Sequence, residues 1–164
     1  LATHLREAGI ELQFVAPGER LEPLPGFVVA APALPDGASD NDRSLWTCFR
    51  VGTTRVLLTG DAEALGTAAA IAQDIAAPSD VLLLPHHGRR NPTLPHLLQR
   101  VRPRVCLASA ASADGDTELG VVARAFGADL WVTGQHGSIE LVADDPPRVR
   151  ATSDGRPLPR PGSD

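Results

Sequence analysis

Two short apolar runs constrain the fold of this chain more than any other feature, because each ends abruptly at polar side chains. The first run, residues 55–61, reads Arg-Val-Leu-Leu-Thr-Gly-Asp and ends at Asp61. The second run, residues 80–88, reads Asp-Val-Leu-Leu-Leu-Pro-His-His-Gly and brings His86 and His87 to its end. Each run has the length and composition of a buried strand followed by a turn.

The segment between the two runs, residues 62–77, predicts one helix, so this part of the chain is a strand–helix–strand unit. Such units are right-handed and parallel in nearly all cases. Parallel strands end at the same edge of a sheet, where ligands usually bind, so we expect Asp61 to lie beside the two histidines. A carboxylate and an imidazole at that edge suit zinc or manganese. One alternative is open: Asp61 is also placed to cap the helix.

The remaining pattern predicts an α/β fold, with a mixed sheet and flanking helices. Antiparallel strands come first, beginning at residues 10–15, and a parallel run follows. A hairpin formed by residues 129–133 and 138–142 is expected to close the sheet. Residues 144–164 are rich in Pro, Arg and Ser and have few apolar side chains, which predicts a disordered tail.

The predicted parallel strands are apolar on both faces, so their sheet needs cover on both sides. The predicted helices suffice for one face. We therefore expect the other face to be covered by a second sheet that this chain does not contain.

Length, charge and cysteine content narrow the class of protein. The 164 residues fit one domain, and 43% of them are hydrophobic, which is enough for a buried core. A freestanding nucleic-acid-binding protein is usually basic, so the net charge of −5 argues against non-specific binding of phosphates over the whole surface. The charge does not exclude a metal site that acts on a phosphodiester, because the metal ion would supply the positive charge. Cys48 and Cys106 lie in apolar runs and are expected to be free thiols.

Membrane and targeting signals are also weak in this sequence. No apolar stretch approaches the roughly 20 residues that span a bilayer, and no signal peptide opens the chain. The sequence lacks methionine and begins at Leu1, so we expect it to be a piece of a longer protein.

Four segments, in a fixed order and with fitting gaps, carry a resemblance to a known family. They are Asn41-Asp-Arg-Ser-Leu45, Leu57-Leu-Thr-Gly-Asp61, Pro85-His-His-Gly88 and Val101-Arg-Pro-Arg104. Together they resemble the metallo-β-lactamase fold, and more specifically the soluble domain of ComEC-type DNA-internalisation competence proteins. The resemblance extends over residues 1–141.

The resemblance implies that residues 1–143 form the carboxyl-terminal lobe of a four-layer αββα sandwich whose first lobe is missing here. A centre of one or two metal ions, zinc or manganese, would sit where the lobes meet. Family members are membrane channels that import single-stranded DNA, and their soluble domain is suspected of degrading the strand that is not imported. DNA, the first lobe and the membrane channel would then be the partners, with the parent protein in the cell membrane.

The resemblance also implies roles for individual residues. Asp61 would touch or bridge the metal ions, and either His86 or His87 would be a terminal ligand. We favour His86 because it is nearer the strand end, which makes Asp61 and His86 the predicted catalytic residues. Because this ligand set is short of the about three that a catalytic zinc needs, we expect weak metal retention or none.

Asn41 and Ser44 would line the same crevice, and Arg89 could contact a phosphate, although a solvated loop explains Arg89 as well. The sequence departs from the family in three ways. The motif His-x-His-x-Asp-His, which belongs to the first lobe, is absent; Arg89 replaces a usual serine; and residues 110–117 contain no histidine.

The motifs and the resemblance are compatible with three alternative functions. The first is part of a DNA-uptake protein with a phosphodiesterase-like or nuclease-like domain. The second is part of a soluble metallo-hydrolase, and the third is a non-catalytic domain that keeps the same fold. Sequence upstream of Leu1 would separate them. Membrane spans there would favour the first and third functions, and the presence there of the motif His-x-His-x-Asp-His would favour the first and second.

Overall fold

The fold contains a seven-stranded mixed sheet, helices that flank it, and a separate three-stranded sheet. These elements are seen in a computed structural model that describes residues 2–9, 11, 13–111, 116–142, 146–153 and 156–157. The strands are β1 Arg20–Leu24, β2 Phe27–Ala30, β3 Trp46–Val51, β4 Thr54–Leu58, β5 Val81–Leu83, β6 Val105–Ala108, β7 Asp129–Val132, β8 Ser138–Val142, β9 Arg148–Ser153 and β10 Arg156–Pro157. The helices are α1 Ala2–Glu7, α2 Ala64–Ala72, α3 Leu94–Val101, α4 Asp116–Ala125 and α5 Thr133–His136, with a 3-10 turn at Pro85–Gly88.

The large sheet follows chain order from β1 to β7. Strands β1 to β4 are antiparallel neighbours, whereas β4 to β7 run parallel. The predicted fold class, a mixed α/β sheet with flanking helices, is therefore confirmed. The predicted strand–helix–strand unit is β4, α2 and β5, and its register places Leu58 opposite Leu83 at the carboxyl ends of the two strands.

One face of the large sheet packs against the helices. Leu57 and Leu82 point to this side and are fully buried, and α3 adds Leu97, Leu98 and Val101. Burial of a side chain of this size contributes roughly 1.5–3 kcal/mol relative to exposure. Apolar positions spaced three and four apart therefore explain why α3 lies against the sheet.

The opposite face is covered by the small sheet, in which β8 lies beside β9 and β9 beside β10. Val81 and Trp131 of the large sheet belong to a second apolar cluster, into which Ile139 and Ala151 project from the small sheet. The expectation that this chain contains no sheet for the second face is therefore wrong, since β8 to β10 provide one.

The prediction that β7 and β8 form a closing hairpin is wrong. β8 pairs with β9 instead of β7, because α5 carries the chain out of the large sheet after Val132. The His136 ring stabilises this turn. The Val132 amide donates to His136 Nδ1 at 3.0 Å, and the ring packs against Trp131 at 4.9 Å between centroids, with the two planes tilted by 50°.

The predicted disorder of residues 144–164 is wrong for the part that forms β9. Val149 and Ala151 alternate with Arg148 and Arg150, and this period of two buries the apolar pair while the arginines face outward. Residues 158–164 lie outside the described part of the chain.

The strand predicted at residues 10–15 is also not seen. Residues 11 and 13–16 belong to no strand, and Ile10 and Leu12 are outside the described residues. Phe14 is 76% exposed, and no strand of the described ranges pairs with this segment to bury it. Within the described ranges, no helix has the length and apolar character that a membrane crossing requires.

Both cysteines are free, as predicted, but their surroundings differ. Burial, and then the nearby charge of Asp129, raises the pKa of the Cys106 thiol to about 12. We therefore expect Cys106 to resist thiol reagents at about pH 8, where the half-buried Cys48 reacts. A colorimetric thiol assay should count one reactive thiol in the native chain and two in denaturant. Equal reaction rates of the two thiols in the native chain would contradict this.

Candidate functional site

The loops after β4 and β5 are tied together where the two strands end. The Thr59 hydroxyl donates to the Leu83 carbonyl at 2.9 Å, and the His86 amide donates to the Gly60 carbonyl at 3.1 Å. Gly60 has φ of 59°, and a Cβ there would lie 2.8 Å from the Ser44 Cβ. Only glycine therefore allows this left-handed turn so close to Ser44.

The tied loops bring Asp61 and His87 together. The distance from Asp61 Oδ1 to His87 Nε2 is 3.3 Å, and the two side chains are 50% and 53% exposed. Their proximity results from the parallel pairing of β4 and β5, as the strand order predicts. The imidazole beside Asp61 is that of His87, however, and not that of the favoured His86.

The backbone explains why the two histidines diverge. His86 and His87 both adopt left-handed conformations, with φ of 49° and 59°, and Gly88 continues the turn at 79°. Left-handed non-glycine residues cost about 1–3 kcal/mol each and are concentrated at functional sites. Two in succession turn the His87 ring toward Asp61 and the His86 ring toward the start of α2.

Glu63 is a site residue that the sequence analysis missed. Its Oε1 lies 3.5 Å from His86 Nδ1 and accepts a hydrogen bond from Asn41 Nδ2 at 3.1 Å. Its Oε2 accepts a hydrogen bond from the Ser39 hydroxyl at 3.2 Å. The sequence does place this second carboxylate two residues after Asp61. The helix predicted to begin at Ala62 included Glu63, so Glu63 was not considered a residue of the strand edge.

Asp61 does not cap α2, so the alternative prediction of a purely structural, helix-capping role for Asp61 is wrong. The helix begins at Ala64 after Glu63, which makes no side-chain capping bond. The backbone amide of Asp61 instead donates to the Ser44 hydroxyl at 3.0 Å. The Asp61 side chain is therefore available at the strand edge.

The cap of α2 comes from Asp42, which is only 3% exposed. Its Oδ1 accepts the Gly66 amide at 2.7 Å, and its Oδ2 accepts the Ser39 hydroxyl at 2.9 Å. Burial alone would raise the pKa of Asp42, but the hydrogen bonds from Gly66 and Ser39 outweigh it, so this pKa lies below its usual value. Asp42 is thus a structural carboxylate at the base of the site.

A cavity of about 420 Å³ opens beside His86, and we call it the histidine cavity. Its lining residues are Asp42, Glu63, Ala64, Leu65, His86, Arg89, Arg90, Asn91 and Pro92. Asp61 and His87 lie outside this lining, so the Asp61–His87 pair and the His86–Glu63 pair occupy separate parts of the sheet edge. Of the predicted substrate-contacting residues, only Arg89 lines the cavity. Asn41 instead donates a hydrogen bond to Glu63, and Ser44 accepts one from the Asp61 amide.

The donor set is short of a complete metal site. The described residues contain no group of three or more His, Cys, Asp or Glu side chains that could hold a metal ion. A catalytic zinc site has about three protein ligands and an open position. The two pairs, Asp61 with His87 and His86 with Glu63, therefore do not fit a resident zinc or manganese ion on their own.

The sequence is similar over part of its length to a known bacterial protein. It is 32% identical over 106 residues to ComE operon protein 3 of Bacillus subtilis (strain 168). The aligned segment covers 64% of this chain and 14% of that protein. The chain matches no protein-family model. The chain therefore spans only a small part of the length of this relative.

The fold is similar to that of a solved structure. The protein, from Parabacteroides distasonis ATCC 8503, is described as a metal-dependent hydrolase, and the TM-score is 0.51 at 15% identity. The match covers 82% of this chain and 62% of that one. This likeness shows the fold. It brings no residue role to this chain.

Proposed function

We propose that this chain is the carboxyl-terminal lobe of a metal-dependent, phosphodiesterase-like domain in a DNA-uptake protein. The observation that carries the proposal is the 3.3 Å contact between Asp61 and His87 at the ends of two parallel strands. The similarity to ComE operon protein 3 and the fold likeness to a metal-dependent hydrolase support it.

In this proposal, Asp61 and His87 supply two donors to a zinc or manganese centre whose other ligands lie outside the described residues. His86 lines the substrate side, where Glu63 fixes its ring through Nδ1. A carboxylate behind an imidazole typically sets the orientation and tautomer of the ring. Asn41 and Ser44 act through the residues they hold, Glu63 and Asp61.

The proposed lobe extends beyond residue 143. β9 contributes Val149 and Ala151 to the second apolar cluster, so the folded unit reaches at least Ser153. The proposed partners are DNA, the first lobe of the sandwich and the membrane channel of a longer protein in the cell membrane. The similarity to ComE operon protein 3 supports this context.

A second candidate function is that of a non-catalytic domain with the same fold. The observation in its favour is that the described residues contain no group of three metal-binding side chains. Arg89, at the position where the resembled family usually has serine, points in the same direction. A soluble metallo-hydrolase acting on a small ester remains the third alternative.

Zinc titration of the purified chain by calorimetry tests the first proposal against the second. We expect weak binding, with a dissociation constant in the micromolar range or above, because two donors give much less than a closed site. The double variant Asp61→Asn, His87→Gln should bind at least about tenfold more weakly.

The matched control is Asp36→Asn, His96→Gln, in which both residues are exposed and belong to neither pair. It removes the same side-chain types and should bind zinc as the unchanged chain does. Equal losses in the two double variants, or none in either, would remove Asp61 and His87 from the metal centre and favour the non-catalytic domain.

A further inference from the structure

A second cavity lies on the other side of the loop that follows the histidines. It has a volume of about 350 Å³ and shares Arg89, Arg90, Asn91 and Pro92 with the histidine cavity. Its remaining wall is apolar, formed by Leu94 and Pro95 of α3 and by Leu119 and Val122 of α4. We call it the apolar cavity.

We propose that the apolar cavity binds the planar aromatic group of a phosphate ester whose phosphate is held by Arg89 and Arg90. The proposal deepens the proposed function and rests on it for the reaction, since it names where each part of the substrate would bind. The binding itself requires no metal ion.

The apolar cavity is built by the backbone of the histidine turn. Gly88 has φ of 79°, and a Cβ at this position would lie 2.9 Å from Leu119 Cδ2 and 3.2 Å from the Ala108 Cβ. The absence of a side chain lets the turn close onto α4, so the floor of the cavity is fixed by packing. Its volume falls in the usual range for sites that bind small molecules, about 300–1,000 Å³.

The charge at the rim favours an anion. Arg89 and Arg90 are exposed and form no ion pair with any residue in the described ranges. Three other arginines are engaged in the fold: Arg100 pairs with Asp74, and Arg20 and Arg55 donate to backbone carbonyls. The two guanidinium groups therefore remain for a ligand.

The carboxylates of the histidine cavity form no ion pair with these two arginines. Both oxygens of Asp42 accept hydrogen bonds, from Gly66 and Ser39, and both oxygens of Glu63 have partners in Ser39, Asn41 and His86. They are occupied internally, whereas guanidinium groups suit the paired oxygens of phosphate. Guanidinium groups also stack on aromatic faces, so a planar aromatic group fits the rim better than an alkyl chain.

The test is a calorimetric comparison of four probes in the presence of a chelator, so that no metal contributes. The probes are inorganic phosphate, para-nitrophenyl phosphate, thymidine monophosphate and thymidine. We expect both aromatic esters to bind about tenfold or more tightly than inorganic phosphate, and thymidine to bind weakly. A preference for thymidine monophosphate over the nitrophenyl ester would identify a nucleobase as the aromatic group, and the reverse a simple aryl ester.

Two pairs of variants assign the subsites. Val122→Phe fills the apolar cavity and should reduce the affinity for aromatic esters to that for inorganic phosphate, whereas Val121→Phe, at a neighbouring position that is 55% exposed, should not. Arg89→Ala, Arg90→Ala should weaken every phosphate-bearing probe. The charge-matched control Arg124→Ala, Arg150→Ala, which changes exposed residues outside both cavities, should leave the affinities unchanged.

Each failure has a distinct meaning. If aromatic esters and inorganic phosphate bind alike, or if Val121→Phe weakens ester binding as much as Val122→Phe does, the apolar cavity is not the aromatic subsite. That result leaves the zinc titration of Asp61 and His87 unaffected. Conversely, ester binding that depends on Val122 would survive a negative zinc titration, because the measurement is made without metal.

Discussion

Gly66→Ala is expected to lower the free energy of unfolding by about 3 kcal/mol, although alanine is normally the better helix residue. Gly66 is the third residue of α2, and a Cβ there would lie 2.4 Å from the Asp42 carbonyl oxygen and 2.9 Å from the Asp42 Cα. These are backbone atoms. Relief therefore requires α2 to move away from the segment that caps it, which also strains the bond from the Gly66 amide to Asp42.

Urea denaturation followed by circular dichroism measures this change, and Gly120→Ala is the matched control. Gly120 is also a helical glycine, in α4, but the nearest atom to its added Cβ is the guanidinium nitrogen of Arg124 at 3.3 Å. A flexible side-chain end can move, so we expect Gly120→Ala to be neutral or stabilising. Equal unfolding midpoints for the two variants would contradict the close packing of α2 on Asp42.

Asp42→Asn is expected to cost about 2 kcal/mol of stability near neutral pH, because the charge-assisted hydrogen bonds that the carboxylate accepts from the Gly66 amide and from the Ser39 amide and hydroxyl are lost or reversed. The cost should depend on pH. The folded-state pKa of Asp42 lies below its usual value of 3.8, so the carboxylate stabilises the fold above that value and loses this contribution as pH falls through the folded pKa.

Unfolding curves of the unchanged chain and of Asp42→Asn at several pH values measure this dependence. The difference in stability should be full above about pH 5 and should shrink as the pH is lowered toward 3. Asp40→Asn is the control, since Asp40 is an exposed neighbour in the same loop and should show little effect. A difference that stays constant or grows with acidity would contradict the role of Asp42.

The sequence predicts the centre of the fold well because its signals there are strong and local. Apart from Thr54, the buried positions of β4 and β5 are all apolar, and few structures except parallel strands accept such runs. Their parallel order then determined that Asp61 would meet a histidine. Strand order follows from simple rules of connection, so this inference needed no side-chain detail.

The site details depend on features that a sequence does not display. Whether His86 or His87 faces Asp61 is decided by two consecutive left-handed residues, which no local propensity predicts for histidine. The helix starts two residues later than expected because Asp42, far earlier in the chain, caps it. Once the helix start moves, Glu63 becomes a loop residue that can reach His86.

The edges of the fold were predicted poorly for a different reason. β8 leaves the large sheet and pairs with β9 because Val149 and Ala151 can be buried on the second face. Those two apolar residues lie in a segment whose overall composition is typical of disorder. Burial in the finished fold, and not local composition, decides the outcome there.

Nitrogen NMR of the histidine rings under zinc titration tests most directly the claim that Asp61 and His87 form the metal-facing pair of this chain. Long-range proton–nitrogen spectra, assigned with His86→Gln and His87→Gln, report each ring nitrogen separately. We predict that the His87 Nε2 resonance shifts with zinc, that the His86 and His96 resonances do not, and that Asp61→Asn abolishes the shift. A His87 resonance that ignores zinc, or one that shifts equally after Asp61→Asn, would contradict the claim.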